Sequence, residues 1–258
     1  MQADVLAFGP HPDDLELGLG ATLAKHAAMG HRVGLCDLTR GEMGSNGSPE
    51  QRLAEAENAR GVLGAAWREN LGWPDRGIGS SGAHVNNAAA LIRRTRPRVI
   101  AIPHWGDRHP DHEAAARVLT EAVFNARLRR YPAEGDPWHP EWVCYYFIND
   151  SGPASFVVDV SDYYEIKRRA LACYRSQFEQ PPPHKASAAF AQGHGGPTKR
   201  AKRSRAAAGA VATRLTSPRF MQLIESRDAQ FGALAGVAFA EGFVIKEPVV
   251  RPHLLKTL

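Results

Sequence analysis

The sequence predicts a single-domain α/β fold: a Rossmann-like, doubly wound and mostly parallel sheet, with a smaller C-terminal strand and helix region. Three observations carry that reading. Through the first half of the chain, apolar runs of strand length alternate with segments of helical period, the pattern of βαβ units with right-handed crossovers. After Tyr131 the alternation stops. At 258 residues, 43% hydrophobic and 23% charged, the chain has apolar surface for one core and a length that single α/β domains reach.

The elements follow in order. Val5–Phe8 is an apolar run stopped by Gly9-Pro10, a buried strand ending in a loop. Helical spacing runs from about Leu17 to Met29, and Val33–Leu38 is a second strand. Ser48 as N-cap and Pro49 at the first helical position open a helix that reaches Leu63. A weaker strand near Arg68–Leu71 precedes a helix from about Asn86 to Thr95, closed before Pro97. Val99–Pro103 is the fourth strand and Pro110–Asn125 the helix behind it. Beyond Tyr131, Trp142–Ile148 and Phe156–Val160 have strand character, Asp162–Ser176 and Pro218–Leu234 helical character.

The net charge of +5 is local. Between Gln180 and Ile224 stand eight cations (Lys185, Lys199, Arg200, Lys202, Arg203, Arg205, Arg214, Arg219) and no acid; removing them leaves 24 basic against 27 acidic residues. A whole-surface basic footprint is absent. The stretch 181–217 opens on three prolines, is rich in Ala and Gly, and reads as a flexible basic insertion. It lacks the aromatic–basic interleaving of a single-strand binder, so no specific nucleic-acid partner is expected. The reading from another class is an anion- or nucleic-acid-binding protein that uses this segment and whose metal is only structural. Cys36, Cys144 and Cys173 are odd in number and widely spaced, as reduced thiols are. The first residues run straight into a strand without a leader-like layout, and no stretch nears the roughly 18 apolar residues of a membrane span. The expectation is a cytoplasmic protein without a membrane partner.

Two motifs carry the chemistry. His11-Pro12-Asp13-Asp14 follows the first strand, and His109-Pro110-Asp111-His112 follows the fourth shortly after its end. In a doubly wound sheet these strands flank the point where strand order reverses, where such folds bind ligands. His and carboxylate donors suit Zn²⁺, whose catalytic sites use three protein ligands and leave one position open. His11, Asp14 and His112 are the candidate ligands. Asp13 is then an unligated carboxylate beside the metal, fit to act as general base. His109 lies near a developing oxyanion, and Asp111 is placed to accept from its ring and keep it charged. The competing reading of each acid is an ordinary helix cap.

The same residues carry a resemblance. Ala7–Glu16 (AFGPHPDDLE) and Asp107–His112 (DRHPDH) resemble the two signatures of the LmbE-like, or PIG-L-like, zinc N-deacetylases. Cys36-Asp37-Leu38-Thr39, Ser45-Asn46-Gly47, Pro74-Asp75-Arg76-Gly77, Ser176-Gln177-Phe178 and Ala240-Glu241-Gly242-Phe243 look most like the bacillithiol-biosynthesis deacetylases. The resemblance implies a zinc-dependent hydrolase acting on an N-acetylglucosamine conjugate, N-acetylglucosaminyl malate in that subgroup. Its rivals on the same fold are a mycothiol-type inositol glycoside, a chitobiose or a thiol conjugate. It also implies the zinc ligands His11, Asp14 and His112, the base Asp13, the oxyanion partner His109 with Asp111, and substrate contacts from Arg52 and Arg108. A homo-oligomer is implied too, since such members often form hexamers. One departure stands out: the family places a tyrosine near Phe220, so a hydroxyl is missing there.

Overall fold

The structure is a computed structural model and describes residues 1–79, 82–180 and 210–248. Among the described residues, seven strands form one sheet in the order β3-β2-β1-β4-β5-β7-β6. They are β1 (Val5–Gly9), β2 (Val33–Thr39), β3 (Trp67–Trp73), β4 (Val99–Pro103), β5 (Trp142–Tyr146), β6 (Phe156–Asp159) and β7 (Ala240–Val244). The first five pair in parallel, while β7 runs antiparallel to both β5 and β6. The helices are α1 (Asp14–Ala28), α2 (Pro49–Leu63), α3 (Gly82–Thr95), α4 (Pro110–Ala126), α5 (Tyr164–Leu171), α6 (Arg175–Phe178) and α7 (Pro218–Ala235).

Alternation along each strand divides the apolar residues between two faces. Val5 and Ala7 of β1 pack with α1, α2 and α7, whereas Leu6 and Phe8 pack with α3 and α4. Helices thus cover both faces, and chain order reverses between β1 and β4, as the sequence pattern implied. Among the described residues no helix is long and apolar enough to cross a membrane.

Three sequence readings change. The helix expected over Asp162–Ser176 is a 3₁₀ turn (Ser161–Tyr163), α5 and α6, interrupted where Cys173 N–H and Tyr174 N–H bond back to Ala170 O and Leu171 O. The fully buried Tyr174 ring anchors that corner in the core. Strand β7 was not expected, because a buried Glu241 and Gly242 interrupt its apolar pattern; a Cβ on Gly242 would stand 2.6 Å from the Phe231 ring. The stretch 181–217 also divides: 181–209 lies outside the described residues, but 210–217 packs on the body. There Val211 N–H donates to Asn46 Oδ1 (2.8 Å) and Asn46 Nδ2 donates to Val211 O (2.9 Å).

Candidate active site

The turns after β1 and β4 meet over a cavity of about 250 Å³, lined among others by His11, Asp13, Asp14, Arg52, His109 and His112. A larger hollow of about 860 Å³ at residues 128–132 is lined by no acid or histidine, whereas the smaller one collects residues of both motifs.

At the first turn, His11 N–H donates to Asp14 Oδ2 (2.9 Å), which folds that carboxylate back beside the imidazole. Asp14 Oδ2 lies 3.0 Å from His11 Nδ1 and 3.2 Å from His112 Nε2, and donor atoms of His11, His109 and His112 come within 4.8 Å of one another. Tetrahedral ligands about 2.0–2.1 Å from a zinc ion stand about 3.4 Å apart, close to this spacing. The electrostatics suit a cation as well. Burial pushes the His112 imidazolium down, but the Asp14 and Asp107 carboxylates outweigh it and raise its pKa to about 9. His11 is likewise raised well above its usual value, against burial, by Asp111, Asp14 and Asp75. The structure thus brings His11, Asp14 and His112 together with His109 beside them, and the chemistry and spacing of these donors fit one divalent ion.

The partners behind the ligands orient them. Asp107 Oδ1 sits 3.1 Å from His112 Nδ1 and accepts from His109 N–H (2.8 Å), while Asn149 N–H donates to Asp107 Oδ2 (2.9 Å). With Nδ1 facing a carboxylate, His112 has Nε2 as the atom it would offer to an ion. His11 Nε2 lies 3.2 Å from Asp75 Oδ1 and 3.3 Å from Asp111 Oδ2, which orient it in the same way.

Asp13 is no helix cap. It occupies the N-cap position of α1 but makes no capping bond from its side chain, and its backbone is left-handed (φ 112°). Such a conformation costs a non-glycine residue about 1–3 kcal/mol and gathers at functional sites. Burial pushes its carboxyl up to about 7, the Arg52 guanidinium opposing and the Asp14 charge adding to the rise. A carboxylate near neutrality beside a metal site has the proton affinity of a general base.

Two expected roles are rearranged. Asp111 does not accept from His109. Its backbone N–H donates to His109 Nδ1 (3.2 Å), while its carboxylate accepts from Arg76 N–H (2.9 Å) and Arg76 Nη1 (3.0 Å) and faces His11. His109 caps α4, so its ring must turn toward that N–H. Burial and the His112 and His11 charges lower its pKa, favouring a neutral ring with Nε2–H as the donor. The two arginines also separate. Arg52 lines the cavity, but it is buried and donates to Pro12 O (2.6 Å), Gly41 O (3.1 Å) and Asp13 Oδ2 (3.2 Å). Arg108 is half-exposed, does not line the cavity, and pairs with Asp150.

Four residues gained a role only in the structure. Asp107, Asp75 and Arg76 stand inside motifs quoted above, yet nothing in their spacing marked them; Asn149 had no signal at all. Phe220 is buried and lines the cavity with Thr213 and Leu215, which carries residues of the 210–217 stretch to the site.

The chain is similar to known proteins over this region. The family model for PIG-L, GlcNAc-PI de-N-acetylase, matches residues 6–123, which include both motifs. Diacetylchitobiose deacetylase of Thermococcus kodakarensis is 30% identical over 191 residues, 68% of this chain and 70% of that protein. The 1D-myo-inositol 2-acetamido-2-deoxy-alpha-D-glucopyranoside deacetylase of Rhodococcus opacus is 33% identical over 168 residues, 52% of this chain and 58% of that protein. The crystal structure of a conserved protein from Thermus thermophilus superposes with a TM-score of 0.81 at 35% identity, over 99% of this chain and 100% of that one.

Proposed function

This chain belongs to the PIG-L, or LmbE-like, family of N-acetylglucosamine-conjugate deacetylases, and from that membership we propose that it hydrolyses the acetamide of a small N-acetylglucosamine conjugate. The observation that carries the reading is Asp13: buried, held in a strained backbone, capping nothing, and facing a cavity beside a His–Asp–His donor set.

His11, Asp14 and His112 would hold the ion, and zinc is our assignment from their donor types. When bound, it supplies Lewis acidity, which acidifies water and polarises an acyl carbonyl. Asp13 accepts the proton of the attacking water as the new C–O bond forms. His109 Nε2–H donates to the carbonyl oxygen as negative charge grows on it. Asp13, now protonated, returns the proton to the amine nitrogen as the C–N bond breaks, giving acetate and a free amine. Arg52 keeps the Asp13 carboxylate aimed at the cavity. Phe220 adds an apolar wall where a hydroxyl would otherwise stand.

A malate would need a cation, and among the described residues Arg52 is committed to carbonyls and Asp13, Arg76 at the cavity wall pairs with Asp111, and Arg108 pairs with Asp150 and does not line the cavity. The relatives' names point instead to an inositol or a second glucosamine unit. The purified protein should therefore release acetate from diacetylchitobiose or the inositol glycoside faster than from N-acetylglucosaminyl malate, measured by mass spectrometry. It should contain about one zinc per chain, with activity lost to a chelator and regained on adding zinc. A zinc-loaded protein that releases acetate from none of these compounds, nor from free N-acetylglucosamine, would end this reading.

A further inference from the structure

Helix α1 is broken just behind the site. Leu19 has φ −144° and ψ 21°, outside helical values, so the helix stops and restarts within its second turn. In an unbroken helix, Ala21 and Thr22 donate to Leu17 O and Gly18 O. Here both find a carboxylate: Ala21 N–H donates to Glu241 Oε1 (3.2 Å) and Thr22 N–H to Glu241 Oε2 (2.7 Å). On the other side of the break, Leu17 O accepts from Arg227 Nη2 (2.7 Å). A strand residue and a helix residue more than 200 positions away thus cap the two ends of the interruption.

The two caps are joined by a buried chain of alternating charge. Arg227 Nε donates to Asp228 Oδ1 (2.9 Å), Lys167 Nζ donates to Asp228 Oδ2 (2.7 Å), and the same Nζ donates to Glu241 Oε1 (2.7 Å). Two cations and two acids balance one another. Arg227 is 8% exposed, and Lys167, Asp228 and Glu241 are 0% exposed. Apolar residues of similar volume would fill such a place without the desolvation cost, so stability alone does not explain it. What only the charged chain supplies is a set of oriented donors and acceptors.

Those donors reach both halves of the site. Arg227 Nη1 donates to Ile148 O (2.6 Å) and Phe147 O (3.1 Å), just before Asn149, which holds the Asp107 that faces His112. Leu17, gripped at its carbonyl by Arg227, donates its own N–H to Asp13 O (2.9 Å). The break also brings α1 against β5 where nothing larger than glycine fits: a Cβ on Gly18 would lie 2.3 Å from the Tyr146 ring.

We propose that Arg227 is a positioning residue for the metal site: with Glu241, Lys167 and Asp228 it caps the break in α1 and ties the turn bearing Asp13 and Asp14 to the strand end that orients His112. The proposal rests on His11, Asp14 and His112 being metal ligands, and its test separates the two. Metal-free protein is titrated with Co²⁺ and followed by its visible absorption, a readout independent of turnover. Arg227→Met with Asp228→Asn removes one charge of each sign and leaves the Lys167–Glu241 pair. It should raise the Co²⁺ Kd by about 10-fold, the lower end of the effect of losing a direct partner of a ligand, because Arg227 acts through Asn149 and Asp107, and it should change the absorption spectrum. Arg227→Lys keeps the charge but loses the fork, and should give a smaller rise in Kd and a spectral change in the same sense; it decides the matter if the double variant does not fold. Arg93→Met is the control, since Arg93 also grips carbonyls (Ala126 O at 3.0 Å, Leu128 O at 2.7 Å) but away from the site. It should lower Tm and leave the Kd unchanged. Folded Arg227 variants with the wild-type Kd and spectrum, or an Arg93 variant that weakens Co²⁺ binding as much, would overturn the proposal. A wild-type protein that binds no Co²⁺ would overturn the ligand assignment beneath it.

Discussion

At the end of β1, His11, Asp13 and Asp14 are all buried, Asp13 sits in a left-handed backbone, and Arg52 donates to its carboxylate from behind. At the end of β4, His112 is buried but His109 is half-buried, and Arg108 extends outward to Asp150. Both turns follow a parallel strand and open a helix, yet one is held from within and the other is partly open to solvent. The difference suits the tasks proposed for them. Groups that hold a cation and tune a base gain from low dielectric, where each charge acts strongly. A group that meets substrate has to remain within its reach.

Substitutions that break this contrast should differ widely in size. The largest effect is expected at Asp13. Asp13→Asn keeps the shape and tolerates positive φ, so metal content by elemental analysis should hold while kcat falls by about 10²–10⁴. Retained turnover would remove Asp13 from the mechanism.

Arg52→Met comes next, because it leaves a buried carboxylate without its cation. Loss of one partner of a buried pair costs about 3–5 kcal/mol, readable in urea unfolding. Burial raises Asp13 to about 7 and Arg52 opposes that rise, so the variant's carboxyl should titrate higher still. Only the deprotonated base works, so the acid limb of the kcat/KM profile should move to higher pH. The sign for stability is the reverse. In the metal-free protein the raised pKa of Asp13 contributes stability that is complete below about pH 4, the unfolded value, and lost as pH rises through about 7. In Arg52→Met that loss should extend to higher pH. An unmoved acid limb would mean that Arg52 does not act through Asp13.

The smallest effect belongs to Arg108→Ala. Its pair with Asp150 is exposed, and such pairs are worth about 0–1 kcal/mol. Stability should change by less than about 1 kcal/mol and kcat/KM by less than about fivefold, the rate equivalent of that energy. A loss of several hundredfold would restore Arg108 as a direct substrate contact.

Much of this was legible in one dimension. The apolar runs that gave strands at Val5–Phe8, Val33–Leu38 and Val99–Pro103 report burial on both faces of a parallel sheet, and that burial is what the structure shows. The boundaries that moved did so for tertiary reasons. Helix α1 starts at Asp14 instead of Leu17 because the Asp14 carboxylate turns back to His11 N–H. Strand β7 escaped because Glu241 reads as a surface residue until Lys167 and two freed backbone N–H groups are found around it.

The sequence by itself determined the sheet's parallel half, the reversal between β1 and β4, and the meeting of His11, Asp14 and His112. Each follows from residue type and local spacing, since period sets burial and a strand end sets where a side chain emerges. Tertiary structure alone decided which arginine serves which acid: Arg52 with Asp13, Arg76 with Asp111, Arg227 with Asp228 and the broken helix. Long flexible cations carry no period of their own. Their partners are set by which carboxylates and carbonyls the folded backbone leaves buried within reach, and that is known only once the chain has closed around them.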